Sequence, residues 1–174
     1  MIRIVKALNC AGVDYMFTGA LAASYYGRPR TTMDADIIVK VSQTGKDRSK
    51  LVSALRRAGL EAEERQISMA LESTFKIATF KDCKSSLTVD IIFSERKLKK
   101  NSGTILNLRT FYQPPEELIL AKLRMIKATV PRERAFKDKE DVKAILKFAR
   151  VNLDQLKRKA SKASTLSVLE NILT

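Results

Sequence analysis

Apolar residues first repeat at helical spacing over residues 2–10, where Ile2, Val5 and Leu8 fall on one side and Gly12 follows as a stop. Residues 13–17 then read as a short strand, 20–26 as an alanine-rich helix closed by Gly27, and 35–41 as a second strand. A helix is predicted over 46–58, with Leu51 and Leu55 inward and Gly59 beyond its end. Residues 73–80 and 86–93 read as two strands forming a hairpin around Lys81 and Asp82, and 104–111 as a further strand. Pro114 and Pro115 introduce a helix over 116–127; a polar interval around Pro131 precedes another over 133–150, and one or two helices follow Leu153. This order predicts an α/β (α+β) fold, a small mixed sheet backed by helices with a helical C-terminal part. Residues 1–113 form the core and 114–174 a helical region packed on it, in one compact domain overall.

The strands carry the chemistry. Asp34 and Asp36 lie two residues apart, so in an extended strand they share a face with Cα atoms about 6.5–7 Å apart, and both can serve one pair of ions. In residues 87–93, Leu87, Val89, Ile91 and Phe93 alternate with Thr88, Asp90 and Ile92, which puts Asp90 on the less apolar face. Gly19 opens the helix at 20–26, where backbone N–H groups favour phosphate; Ala20 begins that helix and Ser24 adds a hydroxyl. Arg28 and Arg30 flank Pro29 ahead of the strand, placed either to hold phosphate or acceptor or to make surface ion pairs. Lys122 falls in the apolar register of Leu118, Ala121 and Met125, so it needs a partner or must snorkel from the helix edge. Asp138 and Asp141 continue the stripe of Val142 and Ile145, while Lys139, Lys143 and Lys147 form an outer one. A helix-capping role suits one of these two carboxylates as well as a site role does.

Gly19-Ala-Leu-Ala22, Tyr26-Gly-Arg-Pro-Arg-Thr-Thr-Met-Asp-Ala-Asp36 and the later Asp90 resemble the nucleotidyltransferase superfamily, and within it the AbiEii-like minimal nucleotidyltransferases. Lys122 and Lys137-Asp138-Lys-Glu-Asp141 match that group's downstream elements, so the resemblance spans roughly residues 15–148. One position departs from it: Ala20 stands where many relatives carry Gly or Ser, which leaves phosphate contact there to backbone N–H groups. The resemblance implies transfer of a nucleoside monophosphate from a nucleoside triphosphate (NTP) to an acceptor. Asp34, Asp36 and Asp90 would bind two Mg²⁺ or Mn²⁺ ions, with Asp90 as ligand or general base. Gly19, Ala20, Ser24, Arg28, Arg30 and Lys122 would bind nucleotide, and Lys122, Asp138 and Asp141 would join the catalytic set.

Charge narrows the partner. The chain carries 33 Lys and Arg against 19 Asp and Glu, a net of +14, and residues 114–174 hold 14 and 8 of these, the denser basic share. A basic surface gathers polyanions, which favours RNA, especially tRNA, as acceptor; a protein hydroxyl is the other macromolecular acceptor that the resemblance implies. Solubility alone also accounts for a lysine-rich face. The toxin-like group further implies a cognate antitoxin protein. Two alternatives stay open: a small-molecule acceptor of the antibiotic type, or an inactive module that binds nucleotide or nucleic acid, for which Ala20 is the best support. The chain has no histidine, and Cys10 and Cys83 stand alone, which argues against zinc and Ser-His or Cys-His chemistry and predicts reduced, buried thiols. No membrane-length apolar run or signal-type block is evident, so a cytoplasmic location without membrane contact is expected.

Overall fold

The computed structural model describes residues 1–41, 45–130 and 135–174, which form eight helices and six strands. They divide into two compact units, one of residues 1–19 and 32–112, the other of residues 20–31 and 113–174.

The first unit is built on the sheet. Its strands are β1 (Tyr15–Phe17), β2 (Asp34–Lys40), β3 (Ile77–Lys81), β4 (Thr88–Ser94), β5 (Asn101–Ile105) and β6 (Leu108–Tyr112), in the order β3-β4-β2-β1-β6-β5. β2 pairs parallel with β4 and β1 parallel with β6, whereas β1–β2, β3–β4 and β5–β6 are antiparallel, so the sheet is mixed as the pattern predicts. Register puts Tyr15, Phe17, Ile37, Val39, Val89, Ile91 and Phe93 on one buried face. Helices α1 (Ile2–Cys10), α3 (Gly45–Arg57) and α4 (Glu64–Glu72) belong to this unit; α1 packs on α3 and β6, and α4 on α3 and β3. Leu8, Leu51, Leu55 and Ile67 are buried, each worth about 1.5–3 kcal/mol relative to exposure.

Several local outcomes differ from the pattern. Ile2 is exposed, and α1 instead buries Ile4, Val5, Ala7 and Leu8. α4 had no sequence signal because its N-cap is Glu63, outside the usual Ser, Thr, Asp and Asn; a capping box with Gln66 forms all the same. β3 starts only at Ile77, since Ser73 is spent on the end of α4, its hydroxyl donating to the Ala70 carbonyl and accepting from the Lys76 N–H. The strand predicted over 104–111 is the hairpin β5–β6, turned at Leu106 and Asn107 with φ of 46° and 64°. Two positive φ values mark a primed turn, and Leu at the first position hides it from sequence. Cys10 and Cys83 are both exposed rather than buried: Cys10 is the last residue of α1, and Cys83 lies in the turn between β3 and β4.

The β3–β4 connection is organised by Asp82, which is buried and accepts from Arg3 through both oxygens at 2.9 and 2.8 Å and from Ser85 at 2.6 Å. The Ser85 hydrogen bond, followed by the Arg3 guanidinium, outweighs desolvation and holds this carboxyl below its ordinary value of 3.8. A depressed pKa stabilises the fold above the unfolded value, and that contribution is lost as pH falls through the folded value. Urea denaturation should therefore find wild type more stable than Asp82→Asn at neutral pH. The gap should close as pH drops below 3.8.

The second unit is helical, with α5 (Pro115–Ala128), α6 (Phe136–Phe148), α7 (Leu153–Lys162), α8 (Leu166–Leu173) and residues 20–26 of α2 (Gly19–Tyr26). α5 contacts α6, α7 and α8, and buries Leu118, Ile119, Leu120 and Leu123 while Met125 is exposed. The predicted polar interval at Pro131 and helix start at Glu133 lie outside the described residues. No helix among the described residues is long and apolar enough to cross a membrane.

Candidate functional site

Strand pairing brings the three aspartates onto one sheet face. Asp36 is the register partner of Asp90 across the parallel β2–β4 pair, and Asp34 that of Thr88. Neighbouring strands run about 4.8 Å apart, so Asp36 and Asp90 stand side by side, with Asp34 one pleat along. Sequence could give each strand's face, but only pairing could make those faces common. Two hydroxyls support the set: Thr88 donates to Asp34, and Thr79 of β3 donates to Asp90, each at 2.5 Å. Thr32 braces the strand entry, accepting from the Asp34 N–H at 3.3 Å and donating to the Asp34 carbonyl. Sequence carries no local signal for Thr79, and for Thr88 only its place on the face of Asp90.

The side chains as they stand do not gather three carboxylates into a ready metal cage among the described residues. Asp34 is turned to Thr88 and Asp90 to Thr79. The donor set nevertheless suits a hard divalent cation, being three carboxylates on adjacent positions of two rigid strands. Gly19 makes room for the Asp36 carboxylate. Its φ is +56°, and a Cβ there would fall 1.9 Å from Asp36 Oδ2. Gly19→Ala should cost about 1–2 kcal/mol from the left-handed backbone alone and force the Asp36 carboxylate aside. A lower urea midpoint together with a weakened Mg²⁺-dependent thermal shift would register both effects.

The remaining predicted residues lie in the helical unit, where Lys122, Asp138, Asp141 and Arg30 form one ion network. Lys122 is 6% exposed, and its Nζ lies 2.8 Å from both Asp138 Oδ1 and Asp141 Oδ2. Arg30 forks onto the same Asp141, with Nε 3.2 Å from Oδ1 and a terminal nitrogen 3.1 Å from Oδ2. Ser24 Oγ accepts from the Arg30 backbone N–H at 3.3 Å, which joins the end of α2 to this network. Lys122 thus has the partners its apolar register demands, since a buried ammonium is tolerated only when paired. Asp141 is buried and Asp138 half-buried. Ala20 is buried at the start of α2, and Arg28 is exposed.

Arg28 and Arg30 also line a cavity of about 320 Å³ along α6, together with Asp141, Lys147, Phe136 and Phe148. Phe136 and Phe148 are 64% and 62% exposed. Neither phenylalanine belongs to the predicted site, and the one local cue for them is a helix that begins and ends on an aromatic among lysines.

Solved structures similar to this chain include the following. The solution structure of the antibiotic-resistance factor ANT(2'')-Ia has a TM-score of 0.67 at 13% identity, covering 98% of this chain and 92% of that one. The crystal structure of ANT(2'')-Ia in complex with adenylyl-2''-tobramycin has a TM-score of 0.65 at 12% identity, covering 97% and 95%. An antigenic nucleotidyltransferase-like protein from Paracoccidioides brasiliensis has a TM-score of 0.59 at 15% identity, covering 95% and 90%. No protein-family model matches the chain, and no curated protein does. Likeness over nearly the full length at such identities establishes a common fold.

Proposed function

We propose that this nucleotidyltransferase-type fold is a metal-dependent nucleotidyltransferase, moving a nucleoside monophosphate from an NTP to an acceptor. The observation that carries the reading is Asp34 and Asp36 on β2 with Asp90 beside Asp36 on β4, one set of carboxylates on one face. Asp34, Asp36 and Asp90 would hold Mg²⁺ or Mn²⁺, two ions by the resemblance. A metal held there would supply neutralisation of phosphate charge and activation of the acceptor oxygen. The chain's own contributions are narrower. Thr88 and Thr79 keep Asp34 and Asp90 oriented until a cation competes for them. Gly19, having no Cβ, leaves the Asp36 carboxylate its place against the turn.

The acceptor we favour is RNA, on the strength of the +14 charge and its density in residues 114–174. A cognate antitoxin and the AbiEii-like grouping rest on sequence resemblance alone. A small-molecule acceptor is the second reading, and the likeness to ANT(2'')-Ia favours it. The test is transfer of label from each NTP, labelled at its α-phosphate, onto total RNA, protein and the small-molecule fraction, with and without Mg²⁺. Metal-dependent label on RNA is the expected result. Label confined to the small-molecule fraction would establish the second reading, and no label on any acceptor would overturn both.

A further inference from the structure

We propose that the cavity along α6 is a binding groove for single-stranded RNA, with Phe136 and Phe148 as base-stacking platforms and Arg28, Lys137 and Lys147 as phosphate contacts. Its role as the acceptor's docking surface rests on the transfer reading above; binding itself does not. The groove is built by close packing. A Cβ added at Gly27 would lie 2.9 Å from the Ala144 Cβ, so these two small residues let the segment that follows, with Arg28, close against α6 as one wall.

Its charge is then decided by which cations are already spent. Arg30 is committed to Asp141 and Lys143 to Glu140, at 3.1 and 3.2 Å. Arg28, Lys137 and Lys147 pair with no carboxylate among the described residues, and all three line the cavity. Both acidic residues in its wall are therefore answered by a cation, and the surplus is positive. An anion, not a cationic small molecule, fits that surplus.

The aromatics select among anions. One exposed phenylalanine needs no explanation, but here two more than 60% exposed stand at the ends of one helix on one cavity. Lys147 Nζ lies over the Phe148 ring, 5.4 Å from its centre, which sets a cation able to meet a phosphate at the stacking platform. A flat ring joined to an anion is the repeating unit of a nucleic-acid strand. Its bases must be unstacked to lie on phenylalanine, which specifies a single strand. The volume, near the lower end for ligand pockets, suits one such unit at a time with the strand continuing into solvent.

Fluorescence anisotropy with a short, unstructured, labelled oligoribonucleotide tests this on the full chain. Phe136→Ala and Phe148→Ala should each weaken binding about 5-fold or more, and Lys147→Ala should flatten the plot of log affinity against log salt by about 0.7. Lys6→Ala, an exposed charge change in the sheet unit, should lower affinity no more than uniformly. Both phenylalanines are exposed, so unchanged thermal melts will separate lost stacking from lost folding. Asp34→Ala/Asp36→Ala should bind the oligoribonucleotide as wild type does, even where transfer fails, which keeps failure of the catalytic reading apart from failure of the groove. Absence of binding at low salt, equal affinity in the phenylalanine variants, or an acidic peptide competing as well as RNA would each overturn the proposal.

Discussion

Asp34→Ala/Asp36→Ala should lower nucleotidyl transfer by at least about 10³-fold, because metal-borne charge stabilisation is worth several kcal/mol and each 1.36 kcal/mol is tenfold in rate. The structure makes this pair the larger lever. Asp36 stands beside Asp90 in register, and Asp34 extends the same face toward solvent. Asp34 is exposed and Asp36 half-buried, so the double variant should melt within a few degrees of wild type while losing the Mg²⁺-dependent shift given by NTP. Asp36→Asn keeps the shape and removes the charge; a loss as large as that of alanine assigns the effect to charge. Asp90→Asn separates the two roles open to Asp90. A ligand's loss is recovered in part at high Mg²⁺, whereas a general base's loss persists at saturating metal and removes the acidic limb of the pH–rate profile. Transfer that survives Asp34→Ala/Asp36→Ala would refute the carboxylate site.

Lys122→Met should destabilise the protein by roughly 3 kcal/mol, at the low end of the cost of breaking a buried ion pair. At about 2–4 °C per kcal/mol for a chain of this size, the melting temperature should fall roughly 6–12 °C. The low end applies because Asp141 keeps the Arg30 fork, and Asp138, with 29% of its side chain exposed, retains some water. A second substitution, Asp138→Asn, should then cost less in the Lys122→Met background than alone, since the carboxylate it removes is already unpaired. The resemblance gives Lys122 to the triphosphate, and the same variant tests that role. A triphosphate contact adds a rise in the KM for NTP at temperatures where the variant is still folded. A melting temperature unchanged by Lys122→Met would contradict the buried network.

The sequence alone determined most elements, because their signals are local. Alternation in 87–93 placed Asp90 opposite Val89 and Ile91, and the i, i+2 spacing of Asp34 and Asp36 held as soon as β2 was extended. Lys122 in an apolar register signalled a buried charge needing a partner, and the 3.6-residue period turned Asp141 inward. Signals failed where capping or turn chemistry used unexpected residues, as at Glu63 before α4 and Leu106 between β5 and β6. Tertiary structure alone decided what distant residues do together. Parallel pairing of β2 with β4 joined Asp36 to Asp90 over a separation that no local period encodes. Packing selected Asp138, Asp141 and Arg30 as the charge partners that a buried lysine requires. Gly27 against Ala144 gathered Arg28, Lys147 and the two exposed phenylalanines around one cavity. A residue's face follows from its neighbours in the chain, but its partner follows from which faces are buried together, and that is settled only when the whole fold closes.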